Sequence, residues 1–350
     1  MSTSDVTRDG VRGERPGREA APEALRDGPK KQRRGRGEAI VPPAEFRSYY
    51  GRPVIKAPAW EPRDIAGYFF FGGLAGAGSV LAAGAQLTGR RTTATAMKVS
   101  SLAGISLSTA LLIHDLGRPG RFPNMLRVFK LTSPMSVGSW LLAGYGPAAG
   151  AAAGCAVTGW LPRVGSAATA GAAFLGPVVT TYTAVLAADT AVPAWHGAHR
   201  ELPYLFASSA TAAASGMALV LAPVRENAPA RCAAVLAAAG ETAATKAAER
   251  RLGVVAETWR EGKAGRLLRA ARFLTAAGAT GAALWGRRSR TVAVASGLAL
   301  LAGSACTRFG IFAAGIASAE DPKYTVLPQR ERLAARERAA KEGEATGTGG

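Results

Sequence analysis

The sequence predicts an all-α integral membrane protein with eight transmembrane helices, arranged as two four-helix bundles between disordered N- and C-terminal tails. The chain of 350 residues is 48% hydrophobic, and its apolar residues are concentrated between two very polar ends. They form runs of about 20 residues, the length of a helix that crosses the hydrocarbon core. Open strands cannot cross a bilayer because their backbone groups would stay unpaired, so the runs are expected to be helices.

The two ends of the chain are too polar to fold by themselves. Residues 1–60 are rich in Arg, Gly, Pro and Glu and have no periodic apolar face. Such a segment buries too little surface to offset the conformational entropy lost on ordering. We therefore expect a disordered basic tail over residues 1–60, an eight-helix membrane domain over 61–320 and a charged tail over 321–350.

Eight apolar runs are long enough to cross the membrane. In chain order they cover residues 66–88, 96–115, 136–159, 166–189, 202–222, 229–246, 269–286 and 292–314. The sixth run is the least apolar, because it is rich in alanine and contains Glu241. Small residues recur four apart in the first run, from Gly72 to Ser79, and this spacing allows close helix packing. These glycines follow no strand, so they do not predict a dinucleotide-binding loop.

The distribution of charge predicts the orientation of the chain. Most of the 43 Lys and Arg residues lie in the tails and in the loops on the same side as the tails. Lys and Arg are enriched in cytoplasmic loops, so both termini are expected to be cytoplasmic in a multi-pass protein of the inner (plasma) membrane. A net charge of +19 is also typical of nucleic-acid binders, but here the basic residues separate apolar runs instead of lining a polar face. No nucleic-acid partner is expected.

Polar side chains at the ends of the first four spans are the best clue to function, because such groups are costly in lipid. Alternate helices run in opposite directions, so the start of spans one and three and the end of spans two and four reach one leaflet. This arrangement predicts a polar-lined pocket there. The groups at this end are Trp60, Arg63, Asp64, Tyr68, His114, Asp115, Arg118, Ser133, Ser136, Trp140, Tyr182, Asp189 and Trp195.

Each of these groups also has a simpler explanation. The tryptophans fit an aromatic belt at the membrane interface. Asp115 and Arg118 could close a loop as an ion pair. Tyr68 and Tyr182 could be packed tyrosines with one hydrogen bond each. Asp189 could reach the interface. Only the coincidence of all these groups at one membrane face favours a site.

The stretch HDLGRPGRFPNMLRVFKLTSPMSVGSWLL, from His114 to Leu142, resembles the signature of the NrfD/PsrC family. These proteins are the membrane subunits of polysulfide-reductase-type molybdopterin oxidoreductases. The DLGRP and SPMS blocks together are specific, and the resemblance covers most of residues 60–330. It also implies eight spans, in agreement with the independent count. Supporting stretches begin at Tyr68, Tyr182, Leu202 and Asp321.

The resemblance implies a quinone-reactive membrane anchor that contains no haem and no iron–sulfur cluster and that is not catalytic alone. It implies two partners on the cytoplasmic side, a ferredoxin-like 4Fe-4S subunit and a molybdopterin catalytic subunit. These would exchange electrons with menaquinone or ubiquinone in anaerobic respiration. The implied quinone-binding residues are Tyr68, His114, Asp115 and Tyr182. Candidates for the loop and for partner docking are Arg118, Ser133, Ser136, Trp140 and Trp195.

Histidines and cysteines limit the redox centres that the chain could hold. A dihaem cytochrome b needs four axial ligands on helices, whereas the chain has 3 His, of which His196 and His199 share a short loop. A b-type haem is therefore disfavoured. Its 3 Cys are isolated and lack C-x-x-C spacing, which excludes a cysteine-ligated metal site within the chain.

An intramembrane pair of ionisable residues predicts a proton path. Glu241 in span six and Arg308 in span eight are the obvious pair, because such residues mark function by default, and Asp189 is a further candidate. Glu241 lies near the end of its predicted span, so snorkelling or a structural pair is the simpler explanation. Proton translocation is a hypothesis on this basis.

A small-solute or ion transporter is the alternative function. Transporters often contain inverted repeats with broken helices near the midplane. Spans one to four and five to eight show no convincing repeat, and the polar groups cluster toward one face instead. A structural anchor with a decayed quinone site is a third interpretation, but Tyr182 and the DLGRP block are intact.

Overall fold

The computed structural model describes residues 6–7, 10–11, 54–117 and 119–347. The described chain is helical apart from a two-residue antiparallel ladder between β1 (Val6–Thr7) and β2 (Gly10–Val11). Its long helices are α1 (Pro62–Leu87), α2 (Arg91–Asp115), α3 (Pro134–Thr158), α4 (Pro162–Ala188), α5 (Leu202–Leu221), α6 (Ala228–Leu252), α7 (Gly262–Leu284), α8 (Arg290–Glu320) and α9 (Lys323–Gly347). The prediction of an all-helical protein is confirmed, and α1 to α8 lie at the eight predicted spans.

Six of these helices are long and apolar enough to cross a membrane, by length and composition: α1, α2, α3, α4, α5 and α8. Helices α6 and α7 have the length, with 25 and 23 residues, but they are more polar. Charged residues are concentrated toward one end of each, as in the run from Lys246 to Arg251 in α6. The count of eight transmembrane helices and the arrangement in two bundles therefore stay predictions.

Proline and glycine mark where the helices begin and end. Proline occupies one of the first two positions of α1, α3, α4, α5 and α6, where its missing N–H would have had no partner in the helix. Gly117, two residues after the end of α2, has φ +66°, and its N–H donates to the carbonyl of His114 at 3.0 Å. The glycine of the DLGRP block therefore ends α2 in a left-handed conformation.

Helix α1 packs against α2, α4 and α5 at the centre of the compact unit Pro58–Ser318. Small residues bring its backbone into contact with α4, because a Cβ on Gly76 would lie 2.5 Å from the carbonyl oxygen of Gly176. The packing role predicted for the glycines between Gly72 and Ser79 thus has a direct structural counterpart. The close α1–α4 contact fixes the relative height of the polar groups that these two helices carry.

The remaining described residues form a separate unit, which comprises those before Pro58 and those after Ser318. Its C-terminal part is the charged helix α9, over a segment for which the sequence predicts a charged tail. Residues 12–53 and 348–350, on which most of the predicted disorder falls, lie outside the described part of the chain.

Candidate functional site

A carboxylate and an imidazole join the ends of α1 and α2. Asp64 lies in the first turn of α1 and His114 in the last turn of α2, and Oδ2 of Asp64 is 2.6 Å from Nδ1 of His114. The Asp64 side chain is 8% exposed, whereas that of His114 is 75% exposed. The pair therefore links a buried carboxylate to an imidazole at the surface of the chain, and the second ring nitrogen of His114 is left available.

Asp115 connects the end of α2 to the start of α1 by a hydrogen bond to the backbone. Its Oδ1 accepts a hydrogen bond from the N–H of Glu61 at 3.2 Å. Glu61 is the residue before the first turn of α1, so Asp115 satisfies a donor at a helix N-terminus. The predicted contact of Asp115 with Arg118 falls outside the described residues, because Arg118 is not among them.

Tyr68 lies one turn after Asp64, on the same face of α1. Its side chain is buried, and its backbone carbonyl accepts a hydrogen bond from the hydroxyl of Ser108 in α2 at 3.0 Å. Helices α1 and α4 run in opposite directions and are in close contact, so Tyr68 near the start of α1 and Tyr182 near the end of α4 lie at the same end of the domain. The two tyrosines are therefore at the end of the domain that carries the Asp64–His114 pair.

Tyr182 rests in a groove of α3 that only glycine allows. Its hydroxyl donates a hydrogen bond to the carbonyl of Pro134 at 2.5 Å. A Cβ on Gly138 would lie 2.1 Å from the Tyr182 hydroxyl oxygen and 2.2 Å from its Cζ, so the ring lies directly on the Gly138 backbone. Pro134 and Gly138 both belong to the SPMSVG stretch. This block therefore forms the surface on which the Tyr182 ring packs.

Ser136 orders the loop that precedes α3. Its hydroxyl donates to the carbonyl of Val128 at 2.7 Å and accepts from the N–H of Lys130 at 3.0 Å. Ser133 is the residue immediately before α3. Trp140 is 43% exposed, with its ring edge-on to that of Phe129 at 6.1 Å between centroids. Of the residues predicted for docking, Trp140 is on the surface and Ser136 holds the adjacent loop together.

Trp195 lies in the interior, unlike the surface position that docking or an aromatic belt requires. Its ring is fully buried, its Nε1–H donates to the carbonyl of Ile311 at 2.8 Å, and it stacks on Trp60 at 5.7 Å. A Cβ on Gly315 would lie 1.9 Å from the indole. The ring is enclosed because α8 offers both a hydrogen-bond acceptor and a glycine at this level, so the side chain is not available to a partner.

The three residues predicted for a proton path do not lie together. Asp189 is exposed immediately after α4, where its N–H donates to the carbonyl of Val185 at 2.9 Å. Glu241 and Arg308 are buried among α5, α6 and α8. These two interact electrostatically. Among the described residues, no group of three or more His, Cys, Asp or Glu could hold a metal ion.

The sequence did not assign three of the residues that build this end of the molecule. Asp64 stood among the polar groups of span one, but its pairing with His114 joins residues 50 apart, and sequence spacing gives no signal for such a pair. Gly138 lies four residues after Pro134 and therefore on the same helix face, and this spacing could have indicated that the two residues contact the same side chain. Ser108 lies in the middle of an apolar run, where a serine is unremarkable.

A family model described as polysulphide reductase, NrfD, matches residues 60–236. The match covers half of the chain and includes α1 to α5 with every residue of the site at the ends of α1 to α4. Glu241 and Arg308 lie outside it. No curated protein matches the chain.

Proposed function

The chain belongs to the polysulphide reductase NrfD family, and from this premise we propose that it is the quinone-reactive membrane subunit of a molybdopterin oxidoreductase complex. Proteins of this family are membrane subunits of such complexes and are quinone-associated. With six apolar helices, the chain is a multi-pass membrane protein. The observation that carries the proposal is the location of Tyr68, Tyr182 and the Asp64–His114 pair at the same end of α1 to α4.

The donor set at this end fits a quinone. A quinone supplies two-electron, two-proton chemistry and presents two carbonyl oxygens that need hydrogen-bond donors. The phenol of Tyr68 is a donor of this kind, and so is the second ring nitrogen of His114 when the imidazole is protonated. The Tyr182 hydroxyl already donates its proton to Pro134, so its lone pairs are free to accept a hydrogen bond from a quinol hydroxyl. This arrangement favours the reduced ligand at Tyr182.

The Asp64–His114 pair is placed for proton exchange. Asp64 orients the imidazole through Nδ1, which leaves the other ring nitrogen to exchange a proton with water or with a ligand hydroxyl. The exposure of His114 provides contact with solvent, and the burial of Asp64 fixes the ring. Asp115 acts beside the pair as a positioning residue, because it ties the start of α1 to the end of α2.

The partners proposed for this end are a ferredoxin-like 4Fe-4S subunit and a molybdopterin catalytic subunit on the cytoplasmic side. Trp140 and the loop closed by Ser136 lie next to Tyr182 through α3 and are the surface elements available to them. Trp195 is excluded from this role by its burial. Both chain termini are proposed to be cytoplasmic, because Lys and Arg are concentrated on that side.

We further propose that α6 and α7 cross the membrane, which gives eight spans. Their 25 and 23 residues correspond to about 35 Å of helix, more than the hydrocarbon thickness of about 30 Å. Their charged residues lie mainly near one end, where long side chains reach the interface. Both helices also pack within the compact unit, α6 against α5 and α7 against α6.

Binding of a short-tailed naphthoquinol to the purified full chain tests the proposal. Tyr182→Phe is expected to weaken binding about tenfold, the equivalent of one hydrogen bond of about 1.4 kcal/mol. Tyr204→Phe is the matched control, because Tyr204 is a tyrosine of α5 whose side chain is 73% exposed. Equal affinities for the two variants, or no saturable binding to the wild type, would overturn the proposal.

A further inference from the structure

Glu241 and Arg308 form a charged pair deep within the half of the domain built by α5 to α8. Glu241 is 4% exposed and Arg308 is 0% exposed. Neither side chain reaches a surface of the chain, so snorkelling does not account for either of them. Charged side chains in such surroundings are costly and require a compensating interaction.

Part of this requirement is met by neighbouring groups. The Thr307 hydroxyl hydrogen-bonds to Oε1 of Glu241. Nη2 of Arg308 donates to the carbonyl of Phe206 at 2.6 Å, and the guanidinium lies 3.8 Å above the Phe206 ring. The carboxylate and the guanidinium are thus each held in place by one hydrogen bond.

The other polar atoms of this pair have no compensating interaction with protein atoms. Oε2 of Glu241 and Nε and Nη1 of Arg308 are buried without a hydrogen-bond partner. Glu241 and Arg308 interact electrostatically, but they do not form a direct ion pair of the kind that joins Arg260 to Glu249 at 2.8 Å. Three unpaired polar atoms on two neighbouring side chains indicate a bound small molecule.

We propose that water bridges Glu241 and Arg308 and that this hydrated pair is a proton-binding site. One carboxylate and one guanidinium have no net charge together, so a neutral molecule fits better than an ion. A water molecule can donate to Oε2 of Glu241 while it accepts from Nη1 of Arg308. The water passes one proton to the carboxylate, which becomes the neutral acid, and takes up a replacement proton from a hydronium ion of the solvent, so that the water stays neutral. The reverse transfer returns the proton to the solvent, and no electron is transferred. Of the described charged side chains, Arg308 is the one that acts on Glu241.

The pair also contacts the helix that carries Tyr68. Nη2 of Arg308 would lie 3.1 Å from a Cβ on Gly73 in α1, and the Phe206 ring beneath the guanidinium packs on that of Phe69 at 5.7 Å. Protonation of Glu241 changes the net charge next to α1. We infer that the site exchanges its proton in step with quinone turnover, and this coupling rests on the proposed function.

Infrared spectroscopy of the full chain in liposomes tests the proton site without any partner subunit. The difference spectrum between acidic and alkaline samples is expected to contain a protonated-carboxyl band that shifts in D2O. Glu241→Gln should remove this band, because the amide keeps the shape and cannot ionise. Glu249→Gln is the matched control on α6 and should retain the band. A band that persists in Glu241→Gln, or its absence from the wild type at every pH, overturns the proposal.

Proton release by the complex that co-purifies with the full chain tests the coupling. Glu241→Gln is expected to lower the number of protons released per quinol by about one while quinol oxidation stays within about twofold of wild type. An unchanged proton count would contradict the coupling. If the wild-type complex neither oxidises quinol nor reduces quinone, the proposed function fails, whereas the infrared result still decides the proton site. Size-exclusion profiles of each variant show whether it is folded.

Discussion

Gly138→Ala tests how the Tyr182 ring is held. The added Cβ would lie 2.1 Å from the Tyr182 hydroxyl oxygen, whereas an ordinary contact is at least 3.4 Å. The hydroxyl therefore has to move by about 1.3 Å, since overlap at that range is strongly repulsive. Its hydrogen bond to Pro134, now 2.5 Å long, would exceed the usual range and break.

The cost of this change has two parts. Overpacking costs about 1–3 kcal/mol, and the lost hydrogen bond costs about 1 kcal/mol. We expect the free energy of unfolding to fall by about 2–4 kcal/mol and naphthoquinol affinity to fall at least about tenfold, because the phenol leaves its position. Thermal unfolding and a binding titration on the full chain measure both effects.

Two further variants make the test specific. Gly154 lies on the same helix, α3, and an added Cβ there would have no atom within 4 Å. Gly154→Ala should therefore leave the free energy of unfolding and the naphthoquinol affinity unchanged. In a Tyr182→Ala background the clash is absent, and Gly138→Ala should then cost almost nothing. If Gly138→Ala is neutral in the wild type, or equally costly in both backgrounds, the reasoning about the groove is wrong.

Three other predictions concern separate contacts. Asp64→Asn should slow quinol oxidation by about 10²-fold, the typical contribution of a positioned proton-transfer group, and turnover assays at several pH values check this. Hydrogen bonds from the backbone N–H and hydroxyl of Thr93 outweigh the effect of burial and hold the pKa of Glu226 below its ordinary value of 4.5. The stabilisation is therefore present at neutral pH and lost as the pH falls through the lowered pKa, so Glu226→Gln should reduce the melting temperature at pH 7, and this reduction should shrink as the pH falls below 4.5. Gly76→Ala should destabilise the chain by about 1–3 kcal/mol, because its Cβ would lie 2.5 Å from the Gly176 carbonyl, and thermal unfolding measures this cost.

The Glu226 contact explains why α2 needs no cap of its own. Arg90, the residue before α2, makes no side-chain capping bond. Glu226, from the connection between α5 and α6, accepts from the Thr93 N–H at 2.8 Å and from its hydroxyl at 2.9 Å. It thus satisfies a free donor in the first turn of α2. A capping signal in the local sequence is absent because the cap comes from a distant part of the chain.

Helix positions could be predicted because they follow from local chemistry. The position and length of each apolar run predicted all of α1 to α8 to within a few residues at most ends. The extension of α7 toward Gly262 was missed, because Arg266 and Arg269 interrupt the apolar pattern without disfavouring a helix. Both residues are good helix formers, so the helix continues through them although the apolar run used for the prediction does not.

Contacts between distant residues could be predicted only in part. Antiparallel helix order placed Tyr68, His114 and Tyr182 at one end of the domain. It did not specify that Asp64 pairs with His114, or that Tyr182 rests on Gly138, because these contacts depend on helix rotation. Trp195 was placed at the surface by its residue type, whereas its position is decided by an acceptor and a glycine in α8, more than 100 residues away.

Photolabelling most directly tests the central claim, that the ends of α1 to α4 meet at one membrane face to hold a quinone. A photoreactive quinone analogue is added to membranes that contain the full chain, and labelled peptides are identified by mass spectrometry. The account predicts label on the peptides that contain Tyr68 and Tyr182, displaced by excess quinol and lost from the second peptide in Gly138→Ala. Label confined to α6, α7 or α8, or label that quinol does not displace, would contradict it.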